Sequence, residues 1–209
     1  MVEWDQILLN KDYHLEYPDE MVVSLASILE ERRAERVLDL GCGAGRHLLY
    51  LAENGFEAYG ADISKTGLTL TRKRLESMRL EAEIKRCDMK SMPYINSCFD
   101  AVICVRTIYH QRLKDIQLTI SEIHRVLRRR GLLLANFHSK RSSRYGTGIR
   151  AEEDTFIHED GPEKGILHHF FNEEEIRELL MNFEVNLEAR EKKIGAYLQS
   201  LLIVLAEKT

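Results

Sequence analysis

The 209-residue sequence has little proline (three residues), little cysteine (four) and a single tryptophan. Cys42, Cys87, Cys98 and Cys104 form neither a CxxC pair nor a disulfide framework. A zinc finger and a disulfide-stapled secreted scaffold are therefore excluded, and reduced, mostly buried thiols in a cytoplasmic protein are expected. No apolar run approaches the roughly 20 residues of a membrane helix, so no membrane partner is expected. The acidic opening MVEWDQILLNKDYHLEYPDE lacks the apolar centre of a secretory signal. Charge of one sign is also missing: 30 Lys and Arg stand against 34 Asp and Glu, a net charge of −4. That balance argues against a chain dominated by nucleic-acid phosphates. There is no repeat and no low-complexity tract, and 44% of the residues are hydrophobic, enough for one well-buried domain.

What is present is an alternation of strands and helices. Pro18-Asp19-Glu20 opens a helix whose apolar stripe is Val22, Leu25 and Leu29. RVLDL (36–40), EAYGADI (57–63), AEIKRCD (82–88), FDAVICV (99–105) and GLLLANFH (131–138) read as buried strands. Between them lie helices around Leu48–Ala52, from the Ser64 cap to about Met78, and over 112–130. Such βα alternation predicts a parallel sheet covered on both faces. The rhythm breaks at 139–154, which has no apolar periodicity, and 155–171 reads as a hairpin. Asn172 and Glu175 resemble a capping box before a final helix. Two strands then follow with no helix between them and must pair antiparallel. The expected fold is a three-layer α/β sandwich, its mostly parallel seven-stranded sheet carrying one antiparallel edge-region strand from a C-terminal hairpin.

The stretch VLDLGCGAGRH (37–47) places Gly41, Gly43 and Gly45 directly after the first strand. A Walker phosphate loop requires Lys and Ser/Thr after its last glycine, and here Arg46 and His47 stand there. The dinucleotide fingerprint G-x-G-x-x-G is not matched either. Asp39, two residues before the first glycine, would repel a pyrophosphate and welcome a cation. Asp62 ends the second strand at the position that favours ribose hydroxyls, and Asp88 ends the third, placed for an exocyclic purine amine. An ammonium group, a ribose and an adenine without phosphate is the profile of S-adenosylmethionine.

VLDLGCGAG, YGADIS, KRCDM, FDAVICVRTIYH and EIHRVLRRRGLLLANFH resemble, in order, the successive motifs of class I (Rossmann-like) S-adenosylmethionine-dependent methyltransferases of small-molecule type. The resemblance spans about residues 35–139, and the terminal strand pair is similar to that family's reversed last strand. It implies S-adenosylmethionine as cofactor and S-adenosylhomocysteine as product. It also implies a cofactor set of Asp39, Gly41, Cys42, Gly43, Asp62, Ile63, Asp88, Met89 and Val105, with Arg106 beside the reacting end. The implied layout is an N-terminal helical cover (1–34), the cofactor core (35–139), an insertion over the acceptor site (139–171), and a C-terminal helix with a strand pair (172–209).

Methyl transfer from a sulfonium is an in-line displacement in which the protein aligns the acceptor and excludes water. Tyr109 and His110, after the fourth strand, and His169, from the hairpin, are the candidate catalytic residues. His168 and His169 are neighbours in a strand-like run and so point to opposite faces; no metal is expected. The acceptor is expected to be a small molecule. A basic cluster (Arg125, Arg128, Arg129, Arg130, Lys140, Arg141, Arg144, Arg150) keeps a modified tRNA base as the alternative. HHFFNEEEI resembles tRNA wobble-uridine and small-molecule methyltransferases alike and does not decide. A cofactor-binding regulatory or scaffold subunit is the third reading. Monomer and homodimer both stay open.

Overall fold

The computed structural model describes residues 2–209. Its core is built from β1 (Arg36–Leu40), β2 (Glu57–Asp62), β3 (Glu83–Arg86), β4 (Phe99–Cys104), β5 (Leu127–Ser139), β9 (Phe183–Ile194) and β10 (Tyr197–Lys208). These seven lie in the order β3-β2-β1-β4-β5-β10-β9. The first five are mutually parallel; β10 runs antiparallel to both β5 and β9. A mostly parallel, Rossmann-like sheet with one reversed strand is thus the architecture. Three further strands, β6 (Ile149–Glu152), β7 (Thr155–Ile157) and β8 (Leu167–Phe171), form an antiparallel flap. It joins the sheet where His138 and Ser139 pair with Phe170 and Phe171.

Alternation along the strands sends side chains to two separate cores. On one face Leu38, Val102, Leu133 and Phe137 pack with Ile116, Ile120 and Ile123 of α5 (Leu113–Val126) and Ile176 of α6 (Glu173–Leu179). On the other, Val37, Ala101, Ile103 and Leu132 pack with Val22, Leu25 and Leu29 of α2 (Glu20–Glu31) and Leu48 and Leu51 of α3 (Arg46–Glu53). Both faces are therefore apolar, as a buried parallel sheet requires. The third helix of this layer, α4 (Lys65–Met78), is capped by Ser64 Oγ, which accepts from Gly67 N–H. A short α1 (Val2–Ile7) lies against its start.

Two boundaries differ from the sequence pattern. The helix expected over 112–130 stops at Val126, because Leu127 turns to an extended conformation and pairs with Phe99. Arg128–Arg130 therefore lead a strand and are not a helix end. The patternless 139–154 segment contains β6, whose residues are exposed or half-buried and so carry no apolar signature.

Candidate functional site

Every loop at the C-terminal edge of the parallel strands opens onto one cavity of about 1000 Å³, the crevice where such sheets bind ligands. Its first wall is the glycine loop. Gly41 and Gly43 have φ of +78° and +52°, a conformation other residues resist. A Cβ on Gly41 would lie 2.2 Å from the Thr107 side chain, whereas one on Gly43 would meet only Leu8 at 3.9 Å, with the cavity beyond.

Four of the loop's N–H groups already have protein partners. Gly41 and Cys42 donate to Ala61 O (2.7 and 3.1 Å), Gly43 to Asp62 Oδ2 (2.8 Å) and Gly45 to Cys42 O (2.8 Å). A phosphate cradle needs such donors free; this loop has spent those four. The Gly41 carbonyl, by contrast, has only a 3.5 Å contact from Thr107 Oγ1. An acceptor of that kind suits an ammonium group.

Asp62 lines the cavity from the end of β2, accepting from Gly43 N–H and Ser64 N–H (2.7 Å). Burial raises its pKa, and those backbone donors work against the rise. Each carboxylate oxygen keeps a second lone pair, so ribose hydroxyls still have an acceptor. Asp88 and Met89 follow β3 on the same wall. Asp88 Oδ1 accepts from Lys90 N–H at 3.0 Å, and the Met89 sulfur from Gln111 Nε2 at 3.0 Å. Cys42, Ile63 and Val105 also line the cavity. The Cys42 thiol is held protonated by burial.

Asp39 is placed differently from the sequence expectation. It is 2% exposed, shares the sheet face of Val37 beneath α3, and does not line the cavity. Its Oδ2 accepts from Leu48 N–H at 3.1 Å, at the start of α3. Burial first, and the Asp62 charge second, push its pKa up to about 7. His47, with Nδ1 4.0 Å from Asp39 Oδ1, is held down to about 3 by burial and by Arg46 and Arg106. The imidazole is thus neutral, and the two groups do not form a true ion pair.

The opposite wall is a cluster of histidines gathered from four segments. Tyr109 and His110 come from the loop after β4, His138 from β5, His158 from the turn before β8, and His168 from β8. Their rings are in contact: Tyr109–His138 4.0 Å, His110–His168 4.7 Å, and His158–His168 stacked at 3.7 Å. Glu163 Oε2 lies 2.7 Å from His168 Nε2. Burial depresses His110 to about 3 and His158 to about 4, which keeps both neutral. Burial also holds the Tyr109 phenol protonated. Burial alone would raise Glu163, but the His168 hydrogen bond and the nearby imidazoles bring it to about 2.

His169 does not join this wall. It is 3% exposed, its Nδ1 lies 2.6 Å from Thr155 Oγ1, and it does not line the cavity. The pleat of β8 sends its neighbour His168 inward instead, alongside His158, which like His168 was one of the insertion histidines, and alongside Glu163 and His138, which were not singled out. The sequence signal for His158 and His168 was weak, their presence among the histidines of the 139–171 insertion without a spacing; Glu163 and His138 carried none.

The fold and this glycine loop define a Rossmann-like methyltransferase. Residues 37–131, a little under half of the chain, match the family model described as a methyltransferase domain, and over that segment the chain is similar to the class I S-adenosylmethionine-dependent methyltransferases, a family whose cofactor is S-adenosylmethionine. Among curated relatives, the putative methyltransferase YqeM of Bacillus subtilis is 35% identical over 106 residues, covering 50% of this chain and 42% of that protein. Glycine/sarcosine N-methyltransferase of Aphanothece halophytica is 28% identical over 170 residues, or 73% and 62% of the two chains. The chain spans about half the length of the curated relatives it matches. Among solved structures, a SAM-dependent methyltransferase of Methanosarcina mazei superposes with a TM-score of 0.74 at 26% identity, covering 84% of this chain and 93% of the other. No helix among the described residues is long and apolar enough to cross a membrane.

Proposed function

We propose that the chain transfers the methyl group of S-adenosylmethionine to a small-molecule acceptor held between the glycine loop and the histidine wall. One observation carries this reading: a single cavity joins Gly41, Gly43, Asp62, Asp88 and Met89 at one end to Tyr109, His110 and His168 at the other. When bound, the cofactor supplies an electrophilic methyl carbon. The protein's share is to bind, orient and keep water out. Asp62 accepts from ribose hydroxyls, Asp88 and Met89 border the base, and Gly43 leaves the space that a side chain would fill. Val105 and Arg106 border the reacting end. His110 borders the acceptor end of the cavity, its imidazole kept neutral by burial. Tyr109 packs beside it as a wall for that acceptor.

Six of the eight basic residues that raised the RNA alternative are tied to carboxylates. Arg125 pairs with Glu122 and Arg128 with Asp100, each at 2.6 Å; Arg130 pairs with Glu207 at 3.1 Å. Lys140 reaches Asp154 (2.7 Å) and Glu175 (2.6 Å), Arg141 reaches Glu191 (3.0 Å), and Arg144 pairs with Asp160. Neutralised cations attract a phosphate backbone poorly, so the small-molecule acceptor is favoured.

Calorimetry with S-adenosylhomocysteine tests the cofactor half. A single saturable site is expected, weakened about tenfold or more by Asp62→Ala through loss of charged hydrogen bonds. Absence of binding overturns the reading. Labelled cofactor incubated with fractionated extract tests the acceptor half: label in the metabolite fraction supports it, and label in tRNA alone transfers the assignment to RNA.

A further inference from the structure

Within the histidine wall, one atom each from His110, Glu163 and His168 lies within 4.8 Å of the other two. Two imidazoles and a carboxylate converging from three separate segments is a transition-metal donor set. Adjacency of His168 and His169 excludes those two as a ligand pair, but it says nothing about partners brought in by the fold.

The hydrogen bonds around the two rings sharpen the case. His110 Nδ1 lies 3.2 Å from Leu167 O, and His168 Nδ1 lies 3.1 Å from Ile166 O. A carbonyl accepts only, so each Nδ1 must carry the proton. That fixes Nε2 as the nitrogen directed at the third ligand, in the manner of metal-bound histidines oriented by a second hydrogen bond. His168 Nε2 points at Glu163 Oε2, and His110 Nε2 is buried with no partner at all. A simple Glu–His pair gives that orphaned nitrogen nothing to do; a shared cation satisfies it. The turn bearing Glu163 is itself pinned, with Gly165 N–H donating to His158 O at 2.8 Å and Ile166 N–H to Glu163 O at 3.1 Å.

We infer that His110, Glu163 and His168 form a site for one divalent cation of the zinc and cobalt class, open to the cavity on its remaining side. His168 is fully buried, whereas the Glu163 side chain keeps 31% of its surface exposed, so the open position faces the acceptor. On binding, the cation takes the place of the proton shared by His168 Nε2 and Glu163, and that proton leaves to solvent. Three protein ligands with one vacant position suit a catalytic cation, which lowers the pKa of a coordinated acceptor hydroxyl, thiol or amine. That last use rests on the methyl-transfer reading above; the site does not.

The test is a titration of the untagged, chelator-stripped full chain with Co²⁺, followed by visible absorption, and displacement by Zn²⁺. One equivalent of bound cobalt is expected, with affinity falling about tenfold or more in Glu163→Gln and in His168→Gln. Both variants are also titrated with S-adenosylhomocysteine, whose pocket lies at the other end of the cavity; retained binding shows that they fold. A wild-type chain without saturable cobalt binding overturns the site, and so does binding that survives both substitutions. Cobalt binding by a wild-type chain that ignores S-adenosylhomocysteine upholds the site and overturns its use in methyl transfer.

Discussion

Asp39, near the end of β1, and Gly43, in the loop that follows, sit four residues apart and do opposite jobs. Asp39 is a buried acid whose native pKa, about 7, exceeds its ordinary value of 3.8. A raised carboxylate pKa means that the native state binds more protons than the unfolded state across that window, so stability falls as pH rises from about 4 to about 7. Asp39→Asn keeps an oxygen for Leu48 N–H and removes this dependence. Urea unfolding of the ligand-free chain should show the variant gaining about 1–3 kcal/mol over wild type between pH 4 and pH 8. Equal pH slopes for the two proteins would refute the assignment. The effect of this variant on S-adenosylhomocysteine binding should be smaller than that of Asp62→Ala, since only Asp62 lines the cavity. Gly43→Ala should cost about 1 kcal/mol of stability for its left-handed backbone, yet weaken S-adenosylhomocysteine more than tenfold, because the added methyl enters ligand space. Gly41→Ala should fail by a different route, in stability, through collision with Thr107. The motif made all these residues legible as a group. It could not show that Asp39 lies beneath α3 while Gly41, Gly43 and Asp62 line the cavity, because that depends on the face of β1 that Asp39 takes.

Elements are where local pattern and tertiary contact part company. The N-terminal cover was readable as a helical segment, but its purchase on the site was not. Asp5 of α1 accepts from Ser64 Oγ at 2.6 Å and from Thr66 N–H at 2.8 Å, tying α1 to the first turn of α4. One residue earlier, Trp4 sets its ring 4.8 Å from that of His110, edge-on. Those hydrogen bonds lower the Asp5 pKa; the tie is therefore fully present above the ordinary carboxylate range and is lost only as pH falls below that range, through the lowered folded pKa. Asp5→Ala should release α1. Protease cleavage near residues 8–15 should become faster, and S-adenosylhomocysteine affinity should drop about threefold to tenfold, in keeping with loss of one cap interaction. Unchanged cleavage would show that α1 is held by Trp4 and Leu8 alone. The end of α5 teaches the same lesson from the opposite side. Leu127 continues the three-four spacing of Ile116, Ile120 and Ile123, so periodicity runs the helix on. It stops where Leu127 turns extended to pair with Phe99, and Lys208, 81 residues on from Leu127, donates to the freed His124 O and Leu127 O at 2.6 and 2.8 Å. A cap supplied by the last strand leaves no trace in the local sequence.

Across the whole molecule, the mostly parallel sheet and its reversed strand were predictable, the latter because consecutive strands without a helix pair antiparallel; the order of the strands was not. The histidine wall was not, since residues 110, 138, 158 and 168 share no period and meet only when the flap folds over β5. Charge behaves likewise: a run such as Arg128–Arg130 looks like a nucleic-acid patch until its acids are located. Asp100 accepts from Arg128 at 2.6 Å and from the backbone N–H groups of Glu35 and Arg36 at 3.0 and 2.8 Å. Arg128 thus helps to anchor the entry to β1 on the N-terminal edge of the sheet, away from the cavity. Arg128→Ala should lower unfolding free energy by about 0.2–1 kcal/mol, the range for a partly exposed pair, and leave the rate of small-acceptor methylation unchanged. Were tRNA the acceptor, the same change would weaken binding across sequences and reduce the salt dependence of the affinity by about one phosphate contact. Stability and labelling therefore move in different combinations under the two readings. A variant that folds less tightly but labels its acceptor at the wild-type rate assigns Arg128 to the scaffold and the acceptor to the cavity.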